Sequence, residues 1–236
     1  LKRLGTDYID LYQFHGFDTV TPMEESLRAM DDLVRSGKVR YIGTSNWAAW
    51  QIMKGLGVSA KEGFEKFATL QAYYSLVGRD LEHDIVPLLE DQKVGLMTWS
   101  PLAGGVLSGK FSRNSRANEG RRTQFDFPPV NVEQAYDVID VLQGIAQKHG
   151  VTVAQVALGW QLHKSYVTTV IIGVKNETQL NDNLGAVDVK LTPEDLAAID
   201  AISKPIPQYP NWMGGIQTDR VPGSTRDWSA VARSTF

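Results

Sequence analysis

The chain has 236 residues, a formal net charge of −3 and no cysteine. The lack of cysteine excludes disulfides, thiolate metal sites and cysteine nucleophiles, and the charge gives no support to nucleic acid or an anionic membrane surface as a partner. Because no apolar run is long enough for a transmembrane helix and no signal-peptide pattern is visible, the sequence predicts a cytoplasmic protein.

Short apolar runs that end abruptly on a polar or aromatic residue alternate with helix signals along the chain. Alternation of strand and helix indicates parallel strands with crossover helices, so we predict an α/β fold. The fifth run has the character of a strand buried on both faces. The predicted strands are Tyr8–Phe14, Val39–Gly43, Ala68–Gln71, Val94–Trp99 and Val167–Ile172.

Helix-start residues follow most of these runs. Thr21, Pro22 and Glu24 form the pattern of a capping box at the start of a helix that ends at Gly37. Asn46 is predicted to cap a helix that runs to about Lys54. Further helices are predicted at Ile85–Gln92, Val132–His149, Thr152–Lys164, from Asn176 onward and at Thr192–Ser203.

Two segments do not fit the strand and helix pattern. Residues 55–60 match a dinucleotide fingerprint by letters, but they follow a helix rather than a strand, so we interpret them as a helix end and a loop. Residues 101–130 form a long loop beside the expected site, and such loops are usually functional or disordered. Its basic residues suit phosphate binding or, more commonly, a solvated surface. They are Lys110, Arg113, Arg116, Arg121 and Arg122.

Five strand–helix units are too few for a closed barrel, which needs eight. Residues 1–5 read as the last turn of a helix, so we expect three units before Leu1. Under this hypothesis residues 1–236 are the C-terminal part of a single (β/α)8 TIM barrel domain and carry its last five units, strands 4–8. The alternative is an open doubly wound sheet, which the strand count alone favours.

In parallel sheets ligands bind at the carboxyl ends of the strands, so we expect the strand-end residues to form one site. His15 is the candidate catalytic residue there, and Trp99 can stack on a ring or pack in the core. His15 and Asp18 lack a third ligand at useful spacing, so no metal site is predicted. Hydroxyl and amide groups that can hydrogen-bond a ligand amide are on Ser45, Asn46 and Gln71.

Together these segments resemble the aldo-keto reductase family, in the branch of potassium-channel β-subunits and related bacterial reductases. The resemblance spans nearly the whole chain, and its second and fourth strings are the most specific. The matching strings are LGTDYIDL at 4–11 leading to His15, GKVRYIGTSN at 37–46, LQAYY at 70–74, WSPLAGG at 99–105, and Ile172–Gly173 with Gln179–Asn183.

The resemblance implies a barrel that binds NADP(H) without a Rossmann fold and reduces an aldehyde or ketone. It implies that Ser45, Asn46 and Gln71 hold the nicotinamide carboxamide and that Trp99 stacks on the nicotinamide ring. The pyrophosphate is expected along Ser100, Pro101, Leu102, Ala103, Gly105 and Lys110. The adenosine end is expected at Gly173, Lys175, Gln179, Asp182 and Asn183.

The resemblance also carries departures from the family pattern. Members often have Glu at the position of Asp182 and Arg at the position of Gln179, so a preference for NADP over NAD depends mainly on Lys175. The catalytic set of the family is Tyr, Lys, Asp and His, of which only the His has a counterpart here, His15. The other three normally precede the position of Leu1.

We therefore predict an aldo-keto reductase of the NADP-dependent alcohol dehydrogenase type for the full-length protein. The tail, residues 205–236, is expected to roof the pocket for a small-molecule carbonyl substrate. Two alternatives are a truncated, non-catalytic nucleotide-binding fragment and a β-subunit-like regulatory protein that lacks the catalytic Tyr, Lys and Asp.

Overall fold

The computed structural model describes residues 1–113, 122 and 125–216. Arg116, Arg121 and the tail beyond residue 216 lie outside these ranges, so the predictions made for them stay untested. Residues 1–203 form one compact unit, and residues 204–216 belong to a second. Within the described ranges, no helix has the length and apolar character needed to cross a bilayer.

The first unit is built on a sheet of five parallel strands. Each strand pairs with the next one along the chain, so the order in the sheet is sequential. This confirms the predicted parallel α/β arrangement. The strands are β1 (Ile9–Phe14), β2 (Val39–Ser45), β3 (Phe67–Tyr73), β4 (Gly95–Trp99) and β5 (Val167–Ile171).

Helices connect the strands. The predicted capping box of Thr152 and Gln155 and the predicted cap at Asn176 are both confirmed. The α-helices are α1 (Met23–Arg35), α2 (Ala49–Glu62), α3 (Leu81–Gln92), α4 (Val132–His149), α5 (Val153–Leu162), α6 (Glu177–Leu184) and α7 (Pro193–Ser203). Short 3₁₀ helices span Ala103–Ser108, Gly185–Asp188 and Asn211–Ile216.

The capping box predicted from Thr21 and Glu24 is wrong. Helix α1 begins at Met23, and Pro22 takes the cap position without a side-chain hydrogen bond. The Thr21 N–H instead donates to the Asp18 carboxylate at 3.2 Å. The chain before the helix is therefore ordered by an aspartate turn, which competes with capping for the same backbone donors.

The cap predicted at Asn46 is also wrong. Helix α2 begins at Ala49, and its N-cap position is Ala48, whose N–H donates to the Gln51 side chain at 2.8 Å. Asn46 has a left-handed backbone with φ of 59°. Asn tolerates this conformation better than most residues, and its side chain is directed to neighbouring strand ends rather than to the helix.

Two clusters of buried apolar side chains support the sheet. The first lies between the sheet and helices α1 and α2, and it includes Leu27, Ile42, Ile52, Phe67, Leu70 and Leu96. The second involves helices α4, α5 and α7, and it includes Val138, Ile139, Leu142, Val156, Trp160 and Ile199. The first cluster includes side chains of β2, β3 and β4, so it holds the sheet against these helices.

Strand β5 is more exposed than predicted. Thr168, Thr169 and Ile171 are exposed, whereas Val167 and Val170 are half-buried. The reason is its place in the sheet: β5 pairs with β4 and has no second strand neighbour among the described residues. The apolar sequence of β5 is typical of a strand covered on both faces. The described residues do not cover both faces of this strand.

The two glycines of the 55–60 pattern lie inside α2, so the interpretation as a helix end and a loop is wrong. Gly55 is buried, and a Cβ atom there would lie 2.6 Å from Cε2 of Phe67. Gly57 is exposed, with no heavy atom of the described structure within 4 Å of a Cβ. Gly55 thus allows α2 to approach the sheet, whereas Gly57 has no packing role.

We expect Gly55→Ala and Gly57→Ala to change stability in opposite directions. The first should lower the free energy of unfolding by about 1–3 kcal/mol, because the added methyl group overpacks the core. The second should raise it by about 0.5–1 kcal/mol, because alanine favours the helix. Urea unfolding measures both, and a stabilising Gly55→Ala would contradict the packing described.

Candidate active site

The carboxyl ends of the strands lie along one edge of the sheet. His15 follows β1 directly at this edge, and Asn46 follows β2. Because the strands are parallel and end at the same edge, side chains from distant parts of the chain become neighbours. The paired residues at this edge are Phe14 with Thr44, Ser45 with Gln71, Tyr73 with Trp99, and Trp99 with Ile171.

Asn46 joins four of these strand ends. Its Nδ2 donates to Ser45 Oγ at 3.0 Å and to the carbonyl oxygen of His15 at 3.4 Å. Its Oδ1 accepts from Nε1 of Trp99 at 2.9 Å. Its backbone N–H donates to the carbonyl oxygen of Gln71 at 3.0 Å. The structure therefore brings together the four residues predicted for the nicotinamide end and the backbone of His15, the predicted catalytic residue.

Trp99 belongs to a series of aromatic rings at the same edge. Its ring centroid lies 5.1 Å from that of Tyr73, at an interplanar angle of 36°. The Phe127 ring is nearly parallel to the indole, at 5.7 Å and 13°, and Phe125 stacks on Phe127 at 5.5 Å. Since Trp99 is only half-buried and already accepts a parallel ring, it can serve as a stacking surface.

Arg122 holds the segment that carries Phe127. Its Nη1 donates to the carbonyl oxygen of Pro128 at 2.8 Å and to that of Ala103 at 3.2 Å. Its Nη2 lies 2.6 Å from the Asp126 carboxylate. The guanidinium therefore connects the segment to the turn that follows β4, and this position keeps Phe127 against Trp99.

The turn after β4 uses its own backbone donors. Ser100, Ala103, Gly104 and Gly105 have positive φ angles. The N–H groups of Ala103 and Gly104 donate to the carbonyl oxygen and hydroxyl of Ser100, at 2.8 and 3.0 Å. The Gly105 N–H donates to the carbonyl oxygen of Leu102 at 2.9 Å. The sequence predicts that this turn lies along the pyrophosphate. In this conformation, its three N–H groups form hydrogen bonds within the turn itself.

A buried glutamine ties this turn to the end of β3. Gln161 Nε2 donates to the carbonyl oxygens of Tyr74 and Pro101, at 3.0 and 3.3 Å. Its Oε1 accepts from the Thr98 hydroxyl at 2.8 Å. All of these atoms are paired, so the junction is rigid and fixes where Ser100 leaves the sheet.

The basic residues of the 101–130 segment do not form one group. Lys110 is exposed. Arg113 donates to Glu133 on α4 at 2.9 Å and also contacts Asp137. Arg113 is thus paired with carboxylates, and among the described basic residues of the segment Lys110 is the better candidate for a phosphate.

The residues after β5 begin close to Trp99, because Ile171 is its pairing partner and Gly173 follows two residues later. Lys175 is exposed, and its backbone N–H donates to Oε1 of Gln179 at 3.0 Å. The Gln179 side chain therefore folds back over its own helix start.

Asp182, a further predicted residue on α6, contacts the start of the neighbouring helix α5. Asp182 Oδ2 accepts from the Thr152 hydroxyl at 3.2 Å, and the carbonyl oxygen of Asp182 accepts from Gln155 at 2.8 Å. Asn183 is buried. These contacts give Asp182 a role in packing α6 against α5.

Tyr73 at this edge, and Tyr74 with its partner Tyr166, differ from a proton donor tuned to neutral pH. Burial raises the pKa of Tyr73, although the hydroxyl of Ser75 at 2.9 Å opposes the shift. Burial also raises the pKa of Tyr74, whose hydroxyl donates to Glu82 at 2.6 Å, and raises that of Tyr166 to about 12. A general acid works best with a pKa near the operating pH, so these three phenols do not fit that role.

Sequence reasoning missed Gln13 and Phe127. Gln13 Nε2 donates to Oε1 of Gln71 at 3.3 Å, so it touches a predicted site residue. The period-2 pattern of β1 puts Gln13 on the same face as the site. Phe127 lies in a segment without periodicity, and no signal in the sequence links it to Trp99.

Known proteins resemble this chain over most of its length. The profile of the Aldo/keto reductase family matches residues 1–204. The chain belongs to the aldo/keto reductase family. The (β/α)8 barrel of that family agrees with the α/β architecture and the parallel sheet seen here.

Individual family members include reductases and channel subunits. The versiconal hemiacetal acetate reductase of Aspergillus parasiticus is 36% identical over 203 residues, which cover 85% of this chain and 58% of that protein. A putative aryl-alcohol dehydrogenase of Schizosaccharomyces pombe is 35% identical over 208 residues, 88% of this chain and 58% of that protein. A probable voltage-gated potassium channel subunit beta of Arabidopsis thaliana is 36% identical over 217 residues, 89% of this chain and 66% of that protein.

We expect Trp99→Phe to test the hydrogen bond between Trp99 and Asn46. The variant keeps an aromatic ring but loses the indole N–H that donates to Asn46. Loss of one hydrogen bond should lower the free energy of unfolding by about 1 kcal/mol. Trp50→Phe is the control, because the Trp50 side chain is 62% exposed. Equal unfolding midpoints for the two variants would contradict a structural role of the Trp99–Asn46 bond.

Proposed function

We propose that the protein reduces aldehydes or ketones with NADP(H), and that this chain supplies the nicotinamide-binding edge. The observation that carries the proposal is the set of hydrogen bonds made by Asn46, which connects the ends of β1 to β4. Its membership of the aldo/keto reductase family supports the same general chemistry of oxidation and reduction.

The residues at the edge fit a neutral carboxamide. A carboxamide has one carbonyl acceptor and one NH₂ donor, so it needs a mixed set of partners. Ser45, Asn46 and Gln71 each contain both donor and acceptor groups and carry no charge. The flat indole of Trp99 offers a stacking surface beside them. Bound NADPH would supply the hydride for the reduction.

Stacking on Trp99 has a structural consequence. The Phe127 ring is nearly parallel to the indole at 5.7 Å, where a second flat ring would also bind. A nicotinamide ring on that face requires Phe127 to move aside. The segment 125–128 is held by Arg122, so this exchange would involve the hydrogen bonds of Arg122 to Ala103 and Pro128.

The preference for NADP over NAD rests on Lys175. Lys175 is exposed beside the start of α6, where a cation and a helix N-terminus together suit a phosphate. Gln179 adds no charge there. We propose Lys175 as the group that meets the 2′-phosphate.

His15 is the proposed catalytic residue. Its backbone is fixed by Asn46, while the residue itself is exposed at the edge. An imidazole can both donate and accept hydrogen bonds. It can therefore orient a substrate carbonyl and assist the transfer of a proton to its oxygen.

A non-catalytic role as a channel subunit is the second candidate. The similarity to a probable potassium channel subunit beta of Arabidopsis thaliana favours it. His15 favours the reductase, because an exposed imidazole beside the strand ends suits proton transfer. The two functions predict different behaviour of a His15 variant.

We expect His15→Gln to lower kcat by at least about 100-fold, the lower range for a lost general acid or base. The Kd for NADPH, followed by quenching of tryptophan fluorescence, should change less than about threefold, because the ring is not proposed to hold the cofactor.

His163→Gln is the matched control. His163 follows α5 and precedes β5, so it lies toward the amino end of the strands. A loss of kcat in the control that equals the loss in His15→Gln would remove His15 from the mechanism. Cofactor binding without turnover in the unmodified protein would favour the channel-subunit role.

A further inference from the structure

Gln13 lies on β1, two residues before His15, and its side chain is half-buried. Its Nε2 donates to Oε1 of Gln71, with 3.3 Å between the two atoms. A hydrogen bond between two side-chain amides fixes the orientation of both, because one amide contributes its NH₂ group and the other its oxygen. The contact therefore bears on how Gln71 meets a ligand.

The two glutamines come from strands that are not neighbours. Strand β2 lies between β1 and β3, so the backbones of Gln13 and Gln71 are separated by two inter-strand spacings, about 9.6 Å, and also by the two-residue step along β3 from Thr69, which is level with Gln13 through Gly43. Two glutamine side chains are long enough to bridge this gap only if nothing on β2 stands between them.

Gly43 is the residue of β2 that pairs with Gln13. A Cβ atom at this position would lie 3.2 Å from Cγ of Gln13 and 2.4 Å from Oγ1 of Thr69. The bridge between the glutamines thus passes over the one residue type that has no side chain. This arrangement is specific, because any other residue at 43 would push against Gln13 or Thr69.

The direction of the bond sets the polarity of Gln71. Because Gln13 donates, Oε1 of Gln71 is directed toward β1, and the NH₂ group of Gln71 forms the other end of the amide. On the opposite side of the site, Oδ1 of Asn46 accepts from Trp99 and keeps a second lone pair. The site then offers donors from Gln71 and an acceptor from Asn46.

We propose that Gln13 is a positioning residue that holds the amide of Gln71 with its NH₂ group toward the carbonyl oxygen of a nicotinamide carboxamide. The inference rests on the proposed function, since it requires that Gln71 meets the cofactor. It adds a residue that touches no ligand and acts through Gln71.

Two substitutions separate polarity from packing. Gln13→Glu keeps the length of the side chain, but an ionised carboxylate only accepts, so the Gln71 amide should rotate and turn Oε1 toward the ligand. Gln13→Met is of similar size and lacks an N–H donor, so it removes the orientation without reversing it.

The probes are NADPH and its reduced 3-acetylpyridine analogue, in which a methyl group replaces the amide NH₂. Kd values come from quenching of tryptophan fluorescence. A carboxamide can turn over and offer its NH₂ to a reversed Gln71, whereas an acetyl group has no donor to offer. The added negative charge of Gln13→Glu weakens the binding of both ligands by the same factor. This effect therefore cancels in the ratio of the two Kd values.

In Gln13→Glu we expect the ratio of the analogue Kd to the NADPH Kd to rise at least about fivefold over the unmodified protein, because the analogue meets an unpaired acceptor. In Gln13→Met the ratio should stay within about twofold, while both Kd values weaken by about two- to fivefold through lost pre-organisation. Urea unfolding checks that each variant is folded.

An unchanged ratio in folded Gln13→Glu would overturn the role of Gln13 and leave the proposed function intact. If Gln13→Glu does not fold, Gln13→Met decides: unchanged Kd values for both ligands would overturn the proposal. If the unmodified protein binds neither dinucleotide, the proposed function fails, and the inference fails with it.

Discussion

The hydrogen bonds of Asn46 are the interaction on which the candidate site depends. A single residue after β2 donates to Ser45 and His15, accepts from Trp99, and is fixed by the backbone of Gln71. These contacts exist because parallel strands end at one edge. They also require the left-handed backbone of Asn46, which turns the residue away from helix capping and toward its neighbours on the sheet.

Most of the fold follows from periodicity and end signals in the sequence. Alternating strands and helices predicted the parallel sheet, and Thr152 and Asn176 predicted helix starts that the structure contains. The errors have local causes. Asn46 has the chemistry of a helix cap and serves the strand ends instead, while Gly55 is a helix breaker by propensity that α2 accepts because it packs on Phe67.

The sequence predicted that the candidate site forms at the ends of the strands. It did not predict the hydrogen bonds and ring contacts between the site residues. Sequence patterns give the face on which a residue lies, not its partner two strands away. The Gln13 side chain reaches Gln71 because Gly43, on the strand between them, has no side chain. Predicting this contact requires knowledge of the register of three strands. Phe127 belongs to a loop without periodicity, so its stacking on Trp99 has no trace in the local sequence.

We propose that the strand-end edge centred on Asn46 binds a nicotinamide ring against Trp99. The chain has six tryptophans, so a ¹H–¹⁵N spectrum gives six indole N–H signals, and Trp99→Phe identifies the one from Trp99. On titration with NADPH, this signal should shift most, because its N–H donates to Asn46 at the binding edge. A titration that moves other indole signals and leaves that of Trp99 unchanged would contradict the account.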